Sequence, residues 1–158
     1  MQNPTYFNKQ EVREASLPSA NGHFSARALT SFYHELTVRG LASNLIALRG
    51  AAAAGGEAGA AGGAAAAADA MLQGEERSFL SGFVLYDSPA ETNGTVVFGH
   101  SGLGGSVALV RFDPSTGDSL SIALTLNRMS FDSALTRRVM RTVFEQVKLP
   151  VPTAFVAA

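Results

Sequence analysis

Between Phe79 and Leu126 the chain runs through apolar segments of strand length, each closed by turn-forming residues, and this cadence restricts the fold more than any other feature. Phe79–Tyr86 reads as a strand, and Asp87–Gly94 supplies turn residues. Thr95–Phe98 reads as a second strand running into a glycine stretch. Ser106–Phe112 is apolar at nearly every position, as expected of a strand buried on both faces. Asp113-Pro114-Ser115-Thr116-Gly117-Asp118 is a strong turn signal. Leu120, Ile122, Leu124 and Leu126 then alternate with Ser121, Ala123 and Thr125, which gives a strand with one heavily apolar face. Short connections join antiparallel neighbours, so these strands predict a meander.

A helix follows. With Asp132 as N-cap, Leu135, Val139, Val143 and Val147 recur every four residues and are joined by Met140 and Phe144, which predicts a core stripe. Lys148 and Pro150 favour its end. The expected fold class is α+β: an antiparallel meander with a C-terminal helix packed on one face.

Upstream, Leu17–Gly22 reads as a loop with a turn at Asn21-Gly22, and Ser25 as the N-cap of a helix carrying Leu29, Phe32, Tyr33 and Leu36. The Phe32-Tyr33 pair is expected in the core, Gly40 ends that helix, and Leu41–Leu48 allows a second one. Residues 50–72 are dominated by alanine and glycine. Each glycine costs about 1 kcal/mol against Ala inside a helix, and the run from 50 to 70 offers no Leu, Ile, Val or Phe for docking. It reads as a flexible low-complexity insertion, and it lacks the large apolar residues that drive membrane insertion. Residues 1–49 and 73–158 then belong to one domain interrupted by residues 50–72.

Composition excludes several classes. A formal net charge of −1 gives no electrostatic reason for a nucleic-acid or acidic-membrane partner, and the Arg137-Arg138 pair fits a solvated helix face. The absence of cysteine removes thiolate metal sites and cysteine nucleophiles. His23 and His34 have no carboxylates at ligand spacing, so neither a metal nor a cofactor is expected. Met1–Ser16 is polar and mixed in charge, without the apolar core of a secretory signal.

The chemistry-bearing stretch is Phe98-Gly99-His100-Ser101-Gly102-Leu103-Gly104-Gly105, where glycines allow another group to approach the main chain closely. A nucleophile elbow, G-x-S-x-G, is met at Gly99 and Ser101 but fails at Leu103, leads to a strand instead of a helix, and has no histidine after His100. A phosphate loop fails as well, since neither G-x-G-x-x-G nor a lysine accompanies the glycines. His100-Ser101-Gly102 does have the form of a basic residue, Ser/Thr and Gly on a strand beside an active site.

Two long segments extend that likeness. "FGHSGLGGSVALVRFDPSTGDSLSIALTLNRM" resembles the strand–turn–strand of the β-lactamase-related, penicillin-binding-like serine hydrolases, ending in Asn127-Arg128-Met129. "LPSANGHFSARALTSFYHEL" resembles the family's Pro-Ser-Asn-Gly loop and Ser-Ala-Arg helix. The resemblance covers nearly all the chain outside the Ala/Gly run and implies a partial β-lactamase/transpeptidase-like fold.

It also implies roles. Gly102 would let substrate lie against the strand, and the Leu103 N–H would be one oxyanion-hole donor. Ser101 would orient substrate or share protons, and His100 would hydrogen-bond within the catalytic network or tune its charge. Gly104 and Asn127 would approach the substrate, a small-molecule ester or amide. The family's nucleophile is the serine of Ser-x-x-Lys, where lysine takes the hydroxyl proton. Here the only lysines are Lys9 and Lys148, and neither stands three residues after a serine. The family's Tyr-x-Asn has a nominal match at Tyr6-Phe7-Asn8, but in the family that motif lies far upstream of the Ser-Ala-Arg helix, so the match reads as a coincidence. The expectation is a carboxy-terminal portion of a serine hydrolase, inactive as this chain, whose missing amino-terminal half is its partner. The alternative is a non-catalytic scaffold or interaction module of the same ancestry.

Overall fold

The computed structural model of the chain describes residues 6, 9–17, 22–53, 65–68, 76–91, 94–102, 104–127 and 132–156. The fold is α+β. Helices α1 (Gln10–Glu14), α2 (Ala26–Val38) and α3 (Leu41–Ala53) precede strands β1 (Ala65–Ala68), β2 (Glu76–Leu80), β3 (Phe83–Tyr86), β4 (Val96–Ser101), β5 (Val107–Phe112) and β6 (Ser119–Leu124). Helix α4 (Ala134–Gln146) and a 3₁₀ turn at Thr153–Phe155 end the described chain. The strands form one antiparallel sheet in the order β1-β2-β3-β4-β5-β6, a meander throughout.

Side chains alternate across the sheet and separate two cores. On one face Val96, Phe98, Ala108 and Val110 pack with Tyr33 of α2 and Ala42 and Leu45 of α3. On the other, Val84, Tyr86, Val97, Val107 and Leu109 pack with Met140 and Phe144 of α4 and with Phe155. Helices therefore cover both faces, where the sequence predicts one. Fully burying a side chain such as Phe98 or Phe144 stabilises by roughly 1.5–3 kcal/mol, so the two layers hold the central strands from both sides.

Local chemistry sets the boundaries. The Ser25 hydroxyl accepts a hydrogen bond from the Ala28 N–H (3.1 Å) and starts α2. Gly40, at φ +89°, ends it. Asp132 Oδ1 accepts from the Ala134 N–H (2.8 Å), so it caps α4 from one residue before the N-cap Ser133. Helix α4 closes with a pair of reverse bonds, Lys148 N–H to Glu145 carbonyl (3.1 Å) and Leu149 N–H to Phe144 carbonyl (3.0 Å). This is a Schellman motif, with Lys148 at φ +57° where glycine is usual.

Several expectations are corrected. The single strand Phe79–Tyr86 is a hairpin: Ser81 and Gly82 both have positive φ, +50° and +82°, the signature of a two-residue type I′ turn. The second strand runs past Phe98, so Gly99, His100 and Ser101 are strand residues. The alanine-rich run is regular in two places: α3 continues to Ala53, and Ala65–Ala68 adds an edge strand beside β2. Alanine's helix propensity carries α3 past Gly50; other residues of the run, and Asn21, lie outside the described residues.

The core stripe of α4 is turned by one residue. Thr136, Met140 and Phe144 are buried, whereas Leu135 and Val147 are 47% and 46% exposed. Met140 and Phe144 remove more apolar surface from water than valines would, and Thr136 has a hydrogen bond to make at the sheet end. The same geometry separates Phe32 from Tyr33. Neighbours on a helix point about 100° apart, so Tyr33 is buried while Phe32 is 55% exposed, its ring perpendicular to that of Tyr33 with centroids 5.7 Å apart.

Candidate functional site

The register brings the candidate residues to one end of the sheet. Ser101 pairs with Val107 and Val107 with Leu124, so the close of β4, the start of β5 and the close of β6 lie side by side. Gly102 and Gly104 follow Ser101, and Asn127 follows Leu124 by three residues. The Ser106 hydroxyl fastens these segments by accepting the Leu126 N–H (3.0 Å). Leu103 lies outside the described residues.

The turn from Gly102 to Ser106 is braced from within. The Gly102 N–H donates to the Ser106 carbonyl (2.7 Å), and the Gly105 N–H donates to the Gly102 carbonyl (2.9 Å). Gly105 adopts φ +93°, a conformation costly for a residue with a side chain. From outside, the Thr136 hydroxyl of α4 donates to the Gly105 carbonyl (2.5 Å). Buried Thr136 thus ties the C-terminal helix to the glycine turn, which explains a threonine on the sheet-facing side of α4.

Gly99 has a different reason. A methyl group there would overlap the Ala108 carbonyl oxygen and stand 2.6 Å from the Leu109 Cα. The group that approaches the main chain at Gly99 is the neighbouring strand of this sheet. Gly102 is looser: among the described residues only the Ser106 carbonyl oxygen is near, 3.5 Å from such a methyl.

His100 and Ser101 do not meet. Successive strand residues point to opposite faces, and the two follow that rule. The His100 side chain is exposed on the α2/α3 face, its ring centroid 5.7 Å from that of Phe83. Ser101 is half-buried on the α4 face, its Oγ 2.7 Å from the phenolic oxygen of Tyr86. Either hydroxyl can donate in that pair. Asn127 is exposed.

Sequence reasoning did not single out Tyr86, Ser106 or Thr136. Tyr86 closes an otherwise apolar strand, and a buried phenol needs a polar partner, which was the available signal. Ser106 heads an apolar strand, where a hydroxyl suits a bond to neighbouring backbone.

A charged pair occupies the opposite end of the sheet. Arg111 in β5 forms a bidentate pair with Glu91 of the β3–β4 connection, Nε to Oε1 and Nη2 to Oε2 (2.8 Å). Both side chains are nearly buried. The hydrogen bonds that the guanidinium donates to Glu91 hold it above its ordinary pKa, against the opposing effect of burial, with Asp113 and Asp118 assisting. Asp113 is held below the usual carboxylate range by hydrogen bonds from the Ser115 hydroxyl and N–H, with Arg111 adding to the effect. In the α2/α3 core, burial pushes the Tyr33 phenol up to about 12, with a further contribution from Tyr86.

Among the described residues no group of His, Cys, Asp and Glu is placed to hold a metal ion, and no helix is long and apolar enough to cross a membrane. The chain matches no protein-family model, no curated protein and no solved structure.

Proposed function

We propose that this chain forms one wall of the acyl-transfer site of a β-lactamase-related serine hydrolase, whose nucleophile and lysine base lie on polypeptide outside these residues. The observation that carries the reading is the convergence of Ser101, Gly102, Gly104 and Asn127 at one end of β4, β5 and β6, fastened by Ser106. These are residues for which the sequence resemblance implies roles beside substrate. The substrate class is a small ester or amide, and no metal or cofactor takes part.

In this reading Gly102 leaves room for substrate along the end of β4, and the Leu103 N–H stabilises the charge that develops on the carbonyl oxygen. Ser101 is a supporting hydroxyl. Among the described residues it has no lysine or histidine partner; its bond is to the Tyr86 phenol. His100, on the other face, acts on the network's charge and does not touch Ser101. A serine three residues before a lysine supplies the attacking oxygen in the complete protein.

A second reading, a non-catalytic module of the same ancestry, is favoured by the internal bonding of the turn: its Gly102 and Gly105 N–H groups and the Gly105 carbonyl all have partners within the fold. The reading frame preceding Met1 separates the two, because only the hydrolase requires an in-frame Ser-x-x-Lys there. A fluorophosphonate probe and a chromogenic ester should neither label nor be turned over by residues 1–158 alone. A polypeptide that includes an upstream Ser-x-x-Lys should be labelled at that serine, and His100→Ala should slow it strongly. Labelling of Ser101 in the isolated chain sinks the proposal, and so does an upstream frame without the motif.

A further inference from the structure

We infer that Tyr86 is the positioning residue for the Ser101 hydroxyl, and that the C-terminal turn Thr153–Phe155 sets Tyr86 in place. The inference rests on the reading of Ser101 as a supporting hydroxyl of an acyl-transfer site. A serine side chain has staggered rotamers to choose among and a freely turning O–H. The Tyr86 phenolic oxygen, 2.7 Å from Ser101 Oγ, selects one of them.

The sheet register shows what this contact demands. Tyr86 pairs with Val97, yet its hydroxyl reaches Ser101, four residues further along β4. The phenol therefore spans the level of Gly99, the one position on that face of β4 with no side chain to obstruct it. Glycine at 99 serves the β4–β5 approach and leaves this path open.

Tyr86 is itself held from the end of the chain. Its ring stacks on Phe155, centroids 5.5 Å apart and planes 26° from parallel. One residue on, the Asp87 carbonyl accepts both the Thr153 N–H (2.8 Å) and the Thr153 hydroxyl (3.1 Å). Phe155 is buried and Pro152 before the turn is fully buried, so the turn is anchored in the α4-side core. The connection runs from Thr153 and Phe155 through Tyr86 to Ser101, from the end of the chain to the wall of the site.

The test reads the Ser101 rotamer directly, from its Hα–Hβ couplings in isotopically labelled 158-residue protein. One rotamer should dominate in the wild type. Tyr86→Phe, which keeps the ring and its stacking, should spread Ser101 over more than one staggered well. Phe155→Ala should relax it as well, and Phe155→Tyr should restore it. Unchanged Ser101 couplings in a folded Tyr86→Phe overturn the positioning role. If Tyr86→Phe does not fold, unchanged couplings in Phe155→Ala overturn the inference on their own. A separate arm uses polypeptide carrying the nucleophile, where Tyr86→Phe should lower kcat by up to about a hundredfold with KM held. Absence of turnover in every variant, wild type included, would defeat the hydrolase reading and leave the rotamer result standing.

Discussion

Gly99 is the residue whose identity the fold leaves least free. A side chain there must displace backbone of β5 instead of a flexible side-chain tip. Gly99→Ala should destabilise by about 1–3 kcal/mol, the range of overpacking in a filled interior, read as a fall in the urea midpoint. A change near zero would mean that β4 and β5 part easily. Glu91 is a second sensitive position. Without Glu91 the nearly buried Arg111 loses its bidentate partner and keeps only the longer contact to Asp113 (3.8 Å), so Glu91→Ala should cost about 3 kcal/mol. The double replacement Glu91→Leu with Arg111→Met should recover most of that in the same assay. Equal losses in the single and double variants would show that packing, and not the stranded charge, is responsible. Tyr33 gives a pH signature. Its phenol stays protonated in the folded state to about 12, whereas the unfolded chain releases that proton near the ordinary value of about 10. Between those values the unfolded state binds fewer protons, so stability is fully present below the lower pH and declines as pH rises toward the upper one. Tyr33→Phe should flatten that decline in unfolding curves measured across the window; an unchanged slope would place the titration elsewhere.

At the level of elements, the sequence was legible wherever one local rule decided the outcome. Ser25 and Gly40 bound α2 as their capping chemistry requires, and the Asp113–Asp118 turn stands where its composition places it. Misreadings arose where a second interaction competed. Ser81-Gly82, a turn-forming pair, divides two short apolar segments that together have the length of one strand. The orientation of α4 depends on a hydrogen bond from Thr136 to a carbonyl in a distant turn, which no periodicity within the helix encodes. The site was legible as a segment, Phe98–Gly105, but alternation along β4 divides its members between two faces. Tyr86 escaped notice because its link to Ser101 crosses strands. The end of α4 offers a test at this scale. Lys148 holds a left-handed conformation that costs an L-residue about 1 kcal/mol or more. Lys148→Gly should raise stability by about 0.5–1 kcal/mol, seen as a higher melting temperature; destabilisation would imply that the lysine side chain has a compensating role.

In the whole molecule, a central pair of strands is shielded on both faces while the sheet ends at β1 and β6. Among the described residues β6 pairs only with β5, and its sequence, Ser119–Leu124, carries none of the charges or prolines that blunt an edge. The isolated chain should self-associate at micromolar concentration, measured by light scattering on a sizing column. A monodisperse monomer that melts cooperatively would count against an exposed pairing edge.

Every strand pairs with its neighbour in sequence, but α2 lies across β5 and β6 and so joins residues near 30 to residues near 120. Seating that helix closes most of the chain into a single loop, and the alanine-and-glycine run lies inside it. Loop-closure entropy grows only with the logarithm of length, about 0.6 kcal/mol for each doubling. Lengthening or shortening the stretch between Ala53 and Ala65 by a few residues therefore changes the cost of closure by far less than one buried phenylalanine contributes. The length of that stretch is nearly neutral, so it can drift without disturbing the two cores that meet on either side of β4 and β5.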